Sequence, residues 1–262
     1  MDWGTPTLRI LSWNVNGIRA REKQGLVDAI EEMDPDIFFL QEVRAKPDQL
    51  STETKDFLSH YDWAISEHSK AGYAGVLGAY SKKLKTKFGK FPVFKEGSEL
   101  GRECILSSLD LTLVGVYSPN SGRDLEKIEN RLKWENDLKE FVTAQAGEII
   151  ICGDMNVAPD KIDSNVFSKA GTSKEERGAF ADLKKEGKLI DVFRHLEPYK
   201  QQFTWFSNTY DSRKVNKGMR LDHFLVSEPL LNKIEQIQIV QKPSCICGSD
   251  HNPVMIDLIM EV

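Results

Sequence analysis

Residues 148–159, Glu148-Ile149-Ile150-Ile151-Cys152-Gly153-Asp154-Met155-Asn156-Val157-Ala158-Pro159 (EIIICGDMNVAP), form an apolar run that stops abruptly on a carboxylate and an amide. Ile149–Cys152 has the length and β-branched content of a buried strand. Asp154 and Asn156 therefore stand at a strand end, where one polar residue is ordinarily a turn or a cap. The same ending recurs along the chain. "RILSWNVNG" puts Asn14 and Asn16 after Leu8–Trp13, and "IFFLQE" puts Gln41 and Glu42 after Ile37–Leu40. Asp222 falls inside Leu221–Val226, and Asp250 with His251 precedes Val254–Ile259.

Further strand-like runs are Gly75–Tyr80, Cys104–Leu109 and Leu111–Tyr117, the last two joined by Leu109-Asp110 as a hairpin. Helical patterns lie between the runs. In Leu125–Ala144 the residues Leu125, Ile128, Leu132, Leu138, Phe141 and Val142 make one apolar stripe among charges, and residues 22–33 and 174–186 are also amphipathic. Helices alternating with mixed strands imply an α/β sandwich. No repeat and no Pro/Gly/Ser-rich linker divides residues 1–262, so a single domain is expected.

The composition excludes several classes. No apolar run reaches the ~20 residues of a membrane span, and "MDWGTPTLRIL" lacks the basic start of a signal peptide. Four scattered cysteines are too few for a disulfide framework and point to a reducing compartment. A net charge of −5 argues against a protein that coats nucleic acid, but not against a metal-dependent nuclease with acids concentrated in its site.

If Glu42, Asp154, Asp222 and Asp250 converge, their like charges require a cation or protons between them. All-oxygen ligation favours Mg²⁺, Mn²⁺ or Ca²⁺ over zinc. A histidine beside the acids suits charge stabilisation on a phosphoryl oxygen or proton transfer, and asparagines position an oxyanion or a water without adding charge. Together these groups suit phosphate-ester hydrolysis.

"LSWNVNGIRA", "PDIFFLQEVRA", "GYAGV", "VYSPN", "IICGDMNVAP", "GMRLDHFLVS" and "GSDHNPV" follow one another in this order. Together they resemble the exonuclease III / apurinic-apyrimidinic endonuclease family of the endonuclease/exonuclease/phosphatase superfamily, from about Leu8 to Leu258. The resemblance implies a four-layer α/β sandwich, two mixed β-sheets face to face with helices outside. It implies a DNA-repair nuclease using Mg²⁺, with Mn²⁺ as substitute, that cuts 5′ to abasic sites in duplex DNA and leaves a 3′-hydroxyl, with 3′→5′ exonuclease or 3′-end cleaning besides. Glu42 would bind the metal, with Asn14, Asn16 and Asp250 nearby. Asp154 would orient or deprotonate the attacking water, and Asn156 would position it and the phosphate. Tyr117 and Asn120 would hydrogen-bond the scissile phosphate, and His251, oriented by Asp222, would contact a phosphate oxygen. The expected enzyme is an intracellular monomer without membrane attachment, cytoplasmic or nucleoid-bound in a prokaryote and nuclear in a eukaryote.

Within that resemblance Arg19, Arg44, Lys46, Tyr73 and Arg123 are loop residues placed to contact DNA phosphates. Arg123 matches a position from which some members insert an arginine into the duplex. Trp205, Phe206, Met219 and Leu221 would wall a pocket for a sugar lacking its base. Many relatives carry Trp where Met219 stands, and the adaptable methionine implies a less selective pocket. The rival readings are a phosphomonoesterase of the same superfamily and a catalytically inactive DNA-binding homologue. His223 is expected to be structural, because in a strand it faces away from Asp222. In "CICGSDHNP", Cys245 and Cys247 are expected to pack as strand or loop, with the chemistry belonging to Asp250 and His251.

Overall fold

A computed structural model describes residues 7–84, 93–95, 100–108, 110–208 and 211–260. The opening six residues, and Leu109 of the expected hairpin turn, lie outside these. The chain enters β1 (Thr7–Asn14), crosses through helices Ile18–Glu22 and Leu26–Met33 to β2 (Ile37–Gln41), and passes helix Thr52–Leu58 to β3 (Tyr61–Ser66) and β4 (Val76–Ser81). The plan then repeats. After β5 (Val93–Lys95) and β6 (Glu103–Ser107), β7 (Leu111–Tyr117) crosses through helix Ile128–Thr143 to β8 (Glu148–Asp154). Helix Lys174–Glu186 leads to β9 (Leu189–Asp191), a small pair β10 (Trp205–Phe206) and β11 (Gly218–Met219), and β12 (Asp222–Ser227). Last come β13 (Ile234–Ile239) and β14 (Val254–Ile259).

Two six-stranded sheets result, ordered β13-β14-β1-β2-β4-β3 and β5-β6-β7-β8-β12-β9. In these orders both have the same senses, with one parallel pair at the centre (β1/β2 and β7/β8) and antiparallel pairs on either side. The expected antiparallel pairing of the 104–117 region is β6 on β7.

Between the sheets lies an apolar layer that includes Ile10, Phe39, Val76, Leu106, Leu113, Ile150, Phe224 and Ile256. Phe39 fills the space over Gly115, where an added Cβ would come within 2.1 Å of its ring. Burying each such side chain is worth roughly 1.5–3 kcal/mol. A second apolar cluster joins helix Leu26–Met33 to the outer face of the first sheet, and a third joins helices Ile128–Thr143 and Lys174–Glu186 to the second. This is the four-layer sandwich.

Local details depart from the sequence reading. The helix expected over residues 22–33 begins only at Leu26, after a turn at residues 23–25 that ends on Gly25, whose φ of 85° favours glycine. The long helix starts at Ile128, because Leu125 takes a φ of 66°. Of the expected stripe Leu138 and Val142 are buried and Phe141 packs against the same cluster, while Arg131, Trp134 and Glu135 take the buried places expected of Leu125, Ile128 and Leu132. Cys245 lies in a short helix, Pro243–Ile246, and Cys247 caps it in the left-handed region. Both cysteines pack in the core as expected, and Cys247 lies in a turn; only Cys245 differs, in a helix turn that Pro243 at its first position starts.

Candidate active site

Asn14 ends β1 and Asp154 ends β8, and the two chain ends turn in the same way. The N–H of Asn16 donates to Asn14 Oδ1 at 2.9 Å, and the N–H of Asn156 donates to Asp154 Oδ1 at 2.9 Å. Both asparagines sit at φ 46°, a region asparagine tolerates. Gly153, at φ 145°, lets the strand approach Val116, whose carbonyl oxygen would lie 1.9 Å from an added Cβ. The two sheets meet at these turns, where Asn14 Nδ2 donates to both Glu42 Oε1 and Asp154 Oδ2 at 2.9 Å.

Strand register aligns the second sheet's contribution. Tyr117 and Asp222 both pair with Asp154, from β7 and β12. His251 reaches this row from the loop before β14, its Nδ1 2.8 Å from Asp222 Oδ2 and its Nε2 3.8 Å from Asp154 Oδ2. Burial works against a charged imidazole, but Asp222 and Asp154 outweigh it and push His251 up to about 10. Burial, with Asp222 and Glu42 adding to it, pushes Asp154 up to about 7. The site thus holds an imidazolium fixed by one acid beside a second acid that is unusually basic.

Burial, with Glu42 and Asp154 adding to it, drives the Tyr117 phenol far above its ordinary range, so it stays a donor, and its hydroxyl hydrogen-bonds Glu42. Asn120 Nδ2 donates to Asn156 Oδ1 at 3.2 Å, and Asn156 Nδ2 donates to Ser118 O at 2.9 Å. Arg131, wholly buried on the long helix, ties the two loops by donating to Pro119 O at 3.1 Å and Met155 O at 2.7 Å. That tie is why its helix buries a charge beside Glu135.

Glu42, Asp154 and His251 each bring a ligating atom within 4.8 Å of the others. Two carboxylates suit a hard cation, and the Arg44 guanidinium lying on Glu42 marks a place where positive charge is stable. The donor set fits a divalent ion. Asp250 accepts from Asn16 Nδ2 at 2.8 Å and from Trp205 Nε1 at 3.2 Å, so Asn16 and Asp250 brace one another across the rim.

Of the expected substrate-facing groups, Arg19 and Arg44 line a cleft of about 830 Å³ with Asn16 and Gln24. Lys46 and Arg123 are exposed, and Tyr73 is half exposed. Met219 and Leu221 form a small buried cluster with Ala158, against which Trp205 and Val166 pack. Phe206 is separate from them, set edge-to-face on Phe203 with the Arg213 guanidinium 4.6 Å from its ring. His223 faces away as expected, toward Val157 O at 2.8 Å and Arg220 at 2.9 Å.

Four contributors were not singled out from sequence. Arg102 is buried, its guanidinium 4.5 Å from the Tyr117 ring and 5.3 Å from the Tyr73 ring. Arg131 is the second. Thr204 Oγ1 accepts from the N–H groups of Leu221 and Asp222, and Ser249 Oγ donates to Asn14 O at 2.8 Å and accepts from the His251 N–H. Thr204 and Ser249 lie inside conspicuous motifs. The two arginines had no local signal.

This site and fold are those of the Endonuclease/Exonuclease/phosphatase family, whose sequence profile matches residues 11–251, and the chain belongs to that family. It is 34% identical to an exodeoxyribonuclease of Bacillus subtilis (strain 168) over 263 residues, covering 97% of this chain and 100% of that one. It is 32% identical to the DNA repair nuclease APEX1 of Danio rerio, covering 98% of this chain and 84% of that one. In structure it matches the AP endonuclease LMAP from Leishmania major with a TM-score of 0.85 at 24% identity, over 97% of this chain and 88% of that one. No helix among the described residues is long and apolar enough to cross a membrane.

Proposed function

We propose that the chain is a Mg²⁺-dependent DNA-repair nuclease. It hydrolyses the phosphodiester bond 5′ to abasic sites in duplex DNA, leaves a 3′-hydroxyl, and trims or cleans 3′-ends with the same site. The observation that carries this reading is the buried row Asp154–His251–Asp222 with Glu42 at its edge. The relatives named exodeoxyribonuclease and DNA repair nuclease support the substrate class.

In this reading Asp154 accepts a proton from water, for which a carboxylate raised to about 7 is well matched at neutral pH. The water oxygen bonds to phosphorus as the bond from phosphorus to the 3′-oxygen breaks. His251, cationic and held by Asp222, donates from Nε2 to a phosphoryl oxygen as charge develops there. Tyr117 and Asn120 supply neutral hydrogen bonds to the phosphate, with Asn156 holding Asn120 and Asp154 in position. A divalent cation held by Glu42, with Asp154 in reach, would supply Lewis acidity and neutralise the departing oxygen. Arg19 and Arg44 in the cleft, with Lys46, Tyr73 and Arg123 outside it, would hold the DNA backbone, and the Trp205–Met219–Leu221 cluster would receive the baseless sugar.

The test is a duplex oligonucleotide with one abasic site, incubated with Mg²⁺ or with EDTA. Cleavage 5′ to the lesion only with Mg²⁺ is expected. Intact DNA, with phosphate released instead from inositol phosphates, would replace this reading with the phosphomonoesterase.

A further inference from the structure

The loop between β8 and helix Lys174–Glu186 carries a residue that the site described above leaves unused. Phe167 is 107% exposed, with no covering side chain, while its neighbour Val166 packs into the Met219–Leu221 cluster. The loop itself is well anchored. Asn165 exchanges hydrogen bonds with Gly218 at 2.9 and 3.2 Å and donates to Asn216 O at 2.8 Å. Thr172 Oγ1 donates back to Ser168 O, and Gly171 O accepts from the Ala158 N–H at 2.7 Å.

Val166 and the Asn165 bonds hold the loop against the apolar cluster, and the Phe167 ring stands out into solvent beside it. On one side Asn165 joins the loop to the 211–217 segment, whose Val215 is also exposed. On the other, Lys169 pairs with Asp124 at 3.0 Å, which brings the loop beside Arg123. A fully hydrated phenyl ring held on a braced loop, with cations around it, gains most by covering a flat apolar surface with a charged backbone next to it. A nucleobase next to an abasic position, whose face has lost its stacking neighbour, offers that surface.

We propose that Phe167 is a substrate-binding residue that stacks on a nucleobase flanking the abasic sugar when that sugar enters the Trp205–Met219–Leu221 pocket. The inference rests on the nuclease reading and adds to it a base contact next to the pocket. The ring touches no reacting atom, so it strengthens the complex without changing the chemical step.

The experiment measures anisotropy of a labelled duplex carrying a tetrahydrofuran abasic analogue, in EDTA, with the full chain and with Phe167→Ala and Phe167→Trp. Removing a base-stacking aromatic is expected to weaken binding about 5- to 100-fold. Phe167→Trp should bind like wild type. Thermal melting should not change in either variant, and Phe167→Ala should keep the wild-type rate at saturating DNA with Mg²⁺. Wild-type affinity in Phe167→Ala overturns the proposal, as does a Phe167→Trp variant as weak as Phe167→Ala. If wild type cleaves abasic DNA and Phe167→Ala binds unchanged, only this inference fails. If wild type leaves abasic DNA intact, the nuclease reading fails and takes this one with it.

Discussion

Asn14-Val15-Asn16 and Asp154-Met155-Asn156 leave their strands through the same turn, with matching φ angles and hydrogen bonds, yet one begins with an amide and the other with an acid. Either residue type accepts the bond that makes the turn, so the fold does not choose between them. The chemistry does. At position 14 the NH₂ group bridges two carboxylates; at position 154 an oxygen faces His251. The sandwich offers equivalent strand ends in each sheet, and a change from nitrogen to oxygen makes one a scaffold and the other a reactive group.

The sharpest break in this comparison is Asp154→Asn, which leaves both turns as amides. The turn persists, because Asn Oδ1 still accepts from Asn156, but the proton acceptor is gone. Loss of general acid–base catalysis predicts a fall in kcat of about 10²–10⁴, with circular dichroism unchanged. His251→Asn comes next. Removing one donor to a developing oxyanion costs roughly 2.7–4 kcal/mol, a rate loss of about 10²–10³, and steady-state kinetics should place it in kcat rather than in DNA affinity.

Smaller effects concern stability and are measured without metal. Asp154 is raised from 3.8 to about 7, so the unfolded chain gives up this proton first and stability falls as pH rises through 7. His251 is raised from 6.5 to about 10, so its contribution is complete below pH 6.5 and is lost as pH rises through 10. Above the acid range, where Asp163 and Asp191, held down by buried arginine, no longer titrate, melting in EDTA should therefore drop toward alkaline pH. In Asp154→Asn the part of the slope that ends near pH 7 should disappear. In His251→Asn the alkaline part of the slope should disappear. A slope identical to wild type in both variants would mean that these two groups are not the coupled pair.

Much of this was legible in the sequence, for identifiable reasons. Buried central strands such as β1, β2 and β8 are continuous apolar runs, and strand alternation alone separated Asp222 from His223. Edge strands were harder to see. β13 alternates apolar and polar residues, and β3 is half-buried throughout, so neither shows a continuous run. Part of the helix face was misread because Arg131 donates to Glu135 and to two loop carbonyls in the interior, which periodicity counts as polar surface. Arg102 was invisible because its partners, Tyr73 and Tyr117, are distant in sequence. The polar strand ends were visible one by one, but the bridge from Asn14 to Asp154 exists only once the sheets face each other.

The location of the acid, and not the number of acids, makes position 154 reactive. The double exchange Asn14→Asp with Asp154→Asn keeps composition, charge and both turns. The decisive measurement is its single-turnover cleavage rate on a duplex with one abasic site in Mg²⁺. The expected rate is as low as that of Asp154→Asn alone, because an acid at 14 faces neither His251 nor Asn156. Recovery of the rate toward wild type would contradict it.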